Sequence, residues 1–280
     1  MILPDLILQS RINQRWQYSG IDSLEHCLNR EHFQSYPYPI EYSYNSRGFR
    51  DKEWPTSLKG LQEAVWCIGD SFTVGIGQPF EHTWPTVLAK KLNTRTVNVS
   101  MDGASNDWIC RRVFDIAYTI NPKAIVVMWS YVQRREDSNN LLDDEQRRIQ
   151  SSKNTHHEDI QRWLIQVLQL KKIPLKIIQS CIPDFCGPDL PETIWNAVKD
   201  KSWPSCPQTP QELENLPVDI KTELQKIHQC FDDMMILLRK KLHTDIIYID
   251  ERLDWARDYH HFDILTSRWI VDQIETRLRM

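Results

Sequence analysis

The chain has 280 residues, of which 41% are hydrophobic and 26% charged. This composition is typical of a globular protein with a full core and argues against long disordered stretches. The formal net charge of -4 provides no overall attraction to phosphate backbones, so nucleic-acid binding is not expected.

Membrane insertion and secretion are not indicated either. Residues 1–16 hold an apolar stretch that Pro4 and Asp5 interrupt, without the basic start and small-residue cleavage site of a secretory signal. No later segment approaches the ~18 consecutive apolar residues needed to cross a bilayer. We therefore expect a soluble cytoplasmic protein with no membrane partner.

The seven cysteines are an odd number, which rules out a complete disulfide framework. Cys181, Cys186 and Cys206 invite comparison with a zinc site, but four residues separate the first two and nineteen the next two. Common zinc-ligand patterns do not have this spacing. We expect free thiols, no bound metal and no organic cofactor.

Five short runs rich in Val and Ile predict β-strands. Each is almost continuously apolar, as expected for central strands that are covered on both faces. The predicted strands are Ala64–Ile68, Thr96–Ser100, Ala124–Trp129, Leu175–Gln179 and Asp245–Ile249.

Segments with helical spacing of apolar residues alternate with these strands. The predicted helices are Thr83–Leu92, Trp108–Ile120, Ile160–Leu170, about Ile220–Leu242 and Phe262–Leu278. The alternation predicts an α/β fold with three α/β/α layers around a parallel sheet of about five strands. Ligands on such sheets bind beyond the carboxyl ends of the strands.

Two regions fall outside the alternation. Residues 1–62 contain the aromatic and proline-rich sequence HFQSYPYPIEYSYNSRGFRDKEWP and are interpreted as an extension packed on the main domain, residues 63–280. A loop-rich insertion at about 181–218 is too long to be an ordinary connection. The sequence is equally consistent with two roles for this insertion: a cap that covers the site, and a plain surface insertion.

The first predicted strand leads into Gly69, Asp70 and Ser71, and a loop follows. This position places the Ser71 hydroxyl at the rim of the sheet, close to free backbone N–H groups. The segment is not the G-x-S-x-G elbow, because Thr73 stands where the second glycine would be. Taken alone, Asp70 and Ser71 are more typical of residues that only cap and turn the chain.

A second motif stands just before the last predicted helix. Asp258 and His261 are three residues apart, so one turn of chain can bring them to the same side. The carboxylate can then bind one imidazole nitrogen and leave the other to deprotonate a serine. His260 is the competing base, but at two residues from Asp258 it would point away.

In this order, the two motifs resemble those of the SGNH/GDSL hydrolase family over residues from about Asn45 to the end. Gly69-Asp70-Ser71 resembles the first family block and Asp258–His261 the last. The resemblance implies a flavodoxin-like SGNH hydrolase fold and a Ser71–His261–Asp258 triad. It also implies that the N–H of Gly103, like that of Ser71, binds the oxyanion.

The third family block, Gly-x-Asn-Asp, has no counterpart after the third predicted strand, where the chain reads Met-Trp-Ser-Tyr-Val-Gln-Arg-Arg. The family asparagine donates a hydrogen bond to the oxyanion, and losing one such donor typically costs ~2.7–4 kcal/mol. Ser130 is the best-placed substitute, with Asn106 and Gln133 as alternatives.

The resemblance implies a serine esterase that hydrolyses a small acyl ester, such as an O-acetyl group on a glycan. Two alternatives stay open. An acyltransferase acting on a glycan hydroxyl would use the same residues, and a non-catalytic binding protein could retain the scaffold.

Substrate-binding residues are less specific. Arg134 and Arg135 could bind an anionic substrate, although pairing with nearby acidic residues is the more ordinary role. Trp129, Trp195 and Trp203 could stack on sugar rings, although tryptophan is also common in cores.

Overall fold

The structure is a computed structural model. It describes residues 6–17, 22, 36, 38–136, 148–149, 156–183, 185, 246–249, 252–258 and 260–280, with 148–149 and 156–157 described by backbone only. The described residues belong to one compact unit, which spans residues 1–185 and 245–280. The predicted helix at 220–242 and most of the 181–218 insertion lie outside the described residues.

Five parallel strands form the central sheet. In chain order the strands of the fold are β1 (Arg15–Gln17), β2 (Glu41–Ser43), β3 (Val65–Gly69), β4 (Thr96–Ser100), β5 (Ala124–Trp129), β6 (Arg135–Glu136), β7 (Arg148–Ile149), β8 (Ile177–Cys181) and β9 (Ile246–Ile247). The central order is β4-β3-β5-β8-β9, and β1-β2 and β6-β7 are separate antiparallel pairs. Every residue of β3, β4 and β5 is buried, which explains why β3 and β5 hold no charged or strongly polar residue. Strand β4 is buried as well, although it alternates Val with Thr, Asn and Ser.

The helices are α1 (Leu58–Glu63), α2 (Ser71–Val74), α3 (Trp84–Leu92), α4 (Asn106–Thr119), α5 (His156–Leu170) and α6 (Ile264–Arg279), with single 3₁₀ turns at Gln9–Arg11 and Phe80–His82. Helix α3 packs on α6, and α4 packs on α5. From β3 the chain crosses to β4 on one side and then to β5 on the other. Right-handed crossovers therefore place α3 and α4 on opposite faces of the sheet.

The three-layer α/β/α prediction is confirmed. Among the strands, the largest shift is at the fourth central strand, which begins and ends two residues later than predicted. Helix α5 begins four residues earlier than predicted. The short helices α1 and α2 were not predicted. Within the described ranges, no helix is both long and apolar enough to cross a membrane.

The end of the N-terminal region lies against the edge strand β4. The Asp51 carboxylate accepts two hydrogen bonds from the Arg95 guanidinium, at 3.0 and 2.8 Å, and one from the backbone N–H of Asn98 at 3.1 Å. Trp54 packs edge-on against Trp66 of β3, with ring centroids 5.3 Å apart. These contacts occupy an edge that would otherwise present unpaired backbone groups. The division at residue 62 stays a prediction.

Candidate active site

The candidate site lies at the carboxyl edge of the sheet, where the loops after β3, β4 and β5 meet. In the parallel register Gly69 is opposite Ser100, and Ile68 is opposite Val127. The residues that directly follow these three neighbouring strands therefore share one rim. Ser71, Gly103 and Ser130, each predicted as a site residue, stand within three residues of the ends of these strands.

Ser71 is the first residue of α2, a helix defined by its caps. The Asp70 carboxylate caps the helix start by accepting a hydrogen bond from Phe72 N–H at 3.1 Å. Gly75 ends it with a φ of 78°, which favours glycine. A Cβ at Gly69 would overlap the Thr73 side chain, so only glycine fits there.

The Ser71 side chain is 2% exposed. Neither its hydroxyl nor its backbone N–H makes a hydrogen bond within the described part of the chain. The N–H group belongs to the unpaired donors at a helix start, which together with the helix dipole favour a negative charge nearby.

Asp258 and His261 form a buried pair. Asp258 Oδ2 lies 2.5 Å from His261 Nδ1, and both side chains are 8% exposed. Asp258 Oδ1 accepts hydrogen bonds from the backbone N–H groups of His260 and His261 at 3.0 and 3.1 Å. Burial alone would raise the pKa of Asp258, but the imidazole and these N–H groups outweigh it and hold the pKa at about 2.

The other imidazole nitrogen, His261 Nε2, is buried and has no hydrogen-bond partner among the described residues. An unsatisfied buried nitrogen is costly unless a partner joins it during function. Because Nδ1 faces a carboxylate, the neutral imidazole carries its proton on Nδ1 and has its lone pair on Nε2. The neutral His261 imidazole therefore has a basic lone pair at a free Nε2.

The His261 ring packs beside α2. Its centroid is 4.4 Å from the ring of Phe72, the residue after Ser71. The backbone N–H of Arg257 also donates to Gly77 O at 3.2 Å, which ties the segment before His261 to the loop after α2. Ser71 Oγ and His261 Nε2 are not hydrogen bonded to each other here. Such bonds are often long in ligand-free enzymes and shorten in the substrate complex.

His260, the competing base, has a different environment. Its side chain is exposed, and its Nε2 lies 3.4 Å from the Tyr131 hydroxyl. Only its backbone N–H contacts Asp258. The structure thus brings Asp258 to the imidazole of His261 and not to that of His260.

Gly103 adds a second free backbone donor to the rim. Its φ of 70° lies in the left-handed region that favours glycine. The turn is closed by a hydrogen bond from Ala104 N–H to Met101 O at 3.0 Å. Gly103 N–H makes no hydrogen bond within the described part of the chain.

The loop after β5 contains a network instead of the family asparagine. The Asn106 side chain accepts from Ser130 N–H at 2.8 Å and donates to Ser130 O at 2.9 Å, which joins two loops of the rim. The Ser130 hydroxyl donates to Asp70 Oδ2 at 2.6 Å. Its single proton is in that bond, so Ser130 would have to release Asp70 to donate to an oxyanion. Gln133, the other alternative, lies half-buried in the next turn.

Arg134 completes this network. Its Nη1 is 3.1 Å from both Asp70 Oδ2 and Ser130 Oγ, and its side chain is 12% exposed. Burial raises the pKa of Asp70, while the Arg134 charge and the Ser130 hydrogen bond oppose that rise. Arg135 points elsewhere and pairs with the buried Asp159 at 2.7 Å.

Arg50 binds the backbone of the loop after α2. This buried guanidinium donates to the carbonyls of Gly75 at 2.5 Å, Gln78 at 2.8 Å, and Val74 and Glu41 at 3.2 Å. Arg50 comes from the N-terminal region, which therefore helps to position the loop that follows Ser71 and α2.

Replacing Arg50 with methionine is expected to lower the free energy of unfolding by about 3–5 kcal/mol, because buried carbonyls would lose their donors. Urea denaturation measures this loss. Arg47→Met is the matched control, since Arg47 is half-buried and stacks on Trp54 at 5.0 Å. We expect less than about 1 kcal/mol for the control. Equal losses would contradict a special role for Arg50.

A second buried carboxyl group, that of Asp263, lies two residues after His261. The Tyr36 hydroxyl donates to Asp263 Oδ2 at 2.6 Å, while Asp263 Oδ1 is buried without a partner among the described residues. Burial raises the pKa of Asp263 to about 7, and the negative charges of Asp254 and Asp258 add to the rise. The ionised carboxylate is therefore disfavoured in the folded protein.

Asp263→Asn is expected to stabilise the protein at pH 8 and much less at pH 4. The raised folded-state pKa means that the protonated Asp263 carboxyl stabilises the wild-type fold. This stabilisation is complete below the unfolded-state pKa of about 3.9 and is lost as pH rises through about 7. The gain should reach about 2–4 kcal/mol, measured by urea denaturation at both pH values. The exposed control Glu63→Gln should show no such gain, and a gain for Asp263→Asn that is independent of pH would contradict the assignment.

Of the tryptophans considered as sugar platforms, Trp129 is completely buried and donates through Nε1 to Gln179 Oε1 at 2.9 Å. It is a core residue, so stacking on a sugar is excluded for it. Trp195 and Trp203 lie outside the described residues. Cys181 is a buried free thiol, and Cys186 and Cys206 also fall outside. No group of metal-binding side chains is found in the described ranges.

Comparison with known proteins gives structural similarity only. No protein-family model matches the chain, and no curated protein matches it significantly. A GDSL-like lipase from Bacteroides thetaiotaomicron is similar with a TM-score of 0.42 at 12% identity, covering 81% of this chain and 92% of the lipase.

Two further solved structures are similar to a comparable degree. For the psychrotrophic esterase EstA from Pseudoalteromonas sp., the TM-score is 0.39 at 10% identity, covering 78% of this chain and 97% of the esterase. For the acetyl xylan esterase AlAXEase, the TM-score is 0.40 at 16% identity, covering 76% of this chain and 98% of the esterase. The GDSL name is that of the family that the sequence motifs resemble. At these TM-scores and identities, the similarity carries no argument about activity or substrate.

Proposed function

We propose that this protein is a serine esterase in which Ser71 is the nucleophile, His261 the general base and Asp258 the residue that orients the base. The observation that carries the proposal is the buried Asp258–His261 pair, whose unpartnered Nε2 lies in an imidazole packed against α2. Ser71 begins that helix. A histidine with a carboxylate at one nitrogen and a free second nitrogen is the arrangement that activates a serine.

The reaction would proceed by acyl transfer to Ser71. Ser71 Oγ attacks the ester carbonyl carbon while its proton passes to His261 Nε2, and Asp258 stabilises the imidazolium that forms. The C–O bond to the alcohol then breaks, and the alcohol leaves with the proton from His261. Water, deprotonated by the same nitrogen, hydrolyses the acyl-serine and restores the hydroxyl.

Backbone donors support the oxyanion part of the proposal. The N–H groups of Ser71 and Gly103 are both free of hydrogen bonds in the described chain. Preorganised donors of this kind account for a large share of the rate enhancement in acyl transfer. Ser130 is proposed as the third donor. Its hydroxyl proton is bound to Asp70, so it would have to leave that bond to reach the oxyanion.

The proposed substrate is a small acyl ester, such as an O-acetyl group on a glycan. The choice of a small acyl group follows from the resemblance of the Ser71 and Asp258–His261 motifs to the SGNH/GDSL family. Transfer of the acyl group to a glycan hydroxyl would use the same residues, with that hydroxyl in place of water. Product analysis separates hydrolysis from transfer.

The proposal is tested by incubating the purified protein with a fluorophosphonate probe and mapping the modified peptide. Labelling at Ser71, together with turnover of p-nitrophenyl acetate or an acetylated sugar, is the expected result. A protein that is neither labelled nor active would instead be a non-catalytic binding protein, and the absence of the family asparagine is the feature that favours this alternative.

A further inference from the structure

A buried negative charge stands immediately before the proposed nucleophile. Asp70 is completely buried. Its Oδ1 accepts from Phe72 N–H at 3.1 Å, and its Oδ2 accepts from Ser130 Oγ at 2.6 Å and from Arg134 Nη1 at 3.1 Å. All of these bonds require acceptor oxygens, so the carboxylate is satisfied in its ionised form.

This charge opposes the proposed chemistry unless it is compensated. The oxyanion would form at the N–H of Ser71, one residue along the chain from Asp70. Two negative charges in a buried region repel each other more strongly than in water. An uncompensated Asp70 would therefore raise the barrier for attack at the carbonyl.

Arg134 is placed to provide the compensation. Its side chain is 12% exposed, its Nη1 reaches both Asp70 and Ser130, and its guanidinium lies 4.8 Å from the centre of the Tyr131 ring. The groups that act on Asp70 are Arg134, Ser130 and Phe72 N–H, which bind it, and the imidazole of His261, which interacts with it through charge. Among these, Arg134 is the permanent cation.

We propose that Arg134 is a positioning residue of the esterase site. By neutralising Asp70, it keeps the start of α2 able to accept the oxyanion, and it thereby makes up for the missing family asparagine by charge instead of by a direct hydrogen bond. The inference depends on the proposed function, because it assumes that an oxyanion forms at Ser71.

The test compares Arg134→Gln, Arg134→Lys and the control Arg135→Gln, whose side chain pairs with Asp159 and not with Asp70. We expect Arg134→Gln to lower kcat by about 100-fold with KM changed by less than about threefold. Arg134→Lys, which keeps the charge, should retain kcat within about tenfold of the wild type. Arg135→Gln should leave kcat almost unchanged.

A double-mutant cycle identifies Asp70 as the residue through which Arg134 acts. Asp70→Asn removes the negative charge while keeping an oxygen that can accept from Phe72 N–H. If the role is charge compensation, Asp70→Asn/Arg134→Gln should recover about tenfold in kcat over Arg134→Gln alone. If Arg134→Gln alone fails to fold, the double variant, which contains no unpaired buried charge, should still fold and keep kcat within about tenfold of the wild type. A folded double variant with about a 100-fold loss of kcat would then contradict the inference.

Three outcomes would overturn the inference. They are equal kcat losses in Arg134→Gln and Arg135→Gln, a higher KM at unchanged kcat, and a double variant no better than Arg134→Gln. These outcomes differ from failure of the proposed function, in which the wild-type protein itself would show neither labelling at Ser71 nor turnover.

Discussion

Replacing Ser71 with alanine is expected to reduce kcat for ester hydrolysis by about 10⁴- to 10⁶-fold, because no covalent acyl intermediate can form without the hydroxyl. The same change should leave the free energy of unfolding almost unaltered, since Ser71 Oγ makes no hydrogen bond in the described chain. Turnover of p-nitrophenyl acetate and urea denaturation measure the two quantities.

The matched control for this variant is Ser57→Ala. Ser57 also stands at the start of a helix, where its hydroxyl accepts from Gly60 N–H at 3.1 Å, but it is exposed and far along the chain from His261. Its loss should cost about 1 kcal/mol of stability and no activity. A Ser71→Ala protein that still hydrolyses the ester at the wild-type rate would remove Ser71 from the mechanism.

The central strands could be predicted because burial on both faces leaves a clear signature. All five residues of β3 are buried, and the run of apolar residues that forms it ends at Gly69, where the site begins. Helix α2 has no such signature. It has four residues, too few for an apolar period, and it depends on hydrogen bonds of Asp70 and on the left-handed Gly75.

The candidate site was predictable where its residues are close in the chain. Asp258 and His261 are three residues apart, and that spacing is enough to bring carboxylate and imidazole together. Asp70 and Arg134 are separated by 64 positions, and acidic residues much nearer to Arg134 were more obvious partners. Only the parallel pairing of β3 with β5 brings these two charges to the same rim.

The role of Arg50 could not be inferred from sequence for a different reason. Its partners are backbone carbonyls of the loop after α2, and every residue has a carbonyl whatever its side chain. The fold alone determines which carbonyls face the guanidinium. Sequence patterns therefore locate the proposed nucleophile and base better than the residues that hold them in place.

Replacing Asp258 with asparagine is expected to lower kcat by about 10³- to 10⁴-fold, because an amide can donate to Nδ1 of His261 and so favour the tautomer with its proton on Nε2. That tautomer cannot accept the Ser71 proton. The asparagine oxygen can still accept from the backbone N–H groups of His260 and His261, so the local turn should be retained. Steady-state kinetics across pH measures the effect.

The low pKa of Asp258 also predicts how activity and stability depend on pH. Since the pKa of Asp258 is held at about 2, the carboxylate stays ionised at every pH at which the protein is assayed, and an acid limb in kcat/KM must come from another group. A lowered folded-state pKa contributes stability that is present above the unfolded value of about 3.9 and is lost as pH falls through about 2. The stability advantage of wild type over Asp258→Asn, about 2–3 kcal/mol at neutral pH, should therefore shrink below pH 4.

Asp254→Asn is the control from the same segment. Its carboxylate accepts from the N–H groups of Leu265 and Thr266 at 2.6 and 2.9 Å and so caps α6, without contact to the imidazole. This variant should lose stability but keep kcat within about threefold, because its effect is on the helix and not on the base. Two results would contradict this role: equal losses of kcat in the two variants, or a kcat for Asp258→Asn within tenfold of wild type. Either would mean that the Asp258 carboxylate does not set the tautomer of His261 and that another group orients the imidazole.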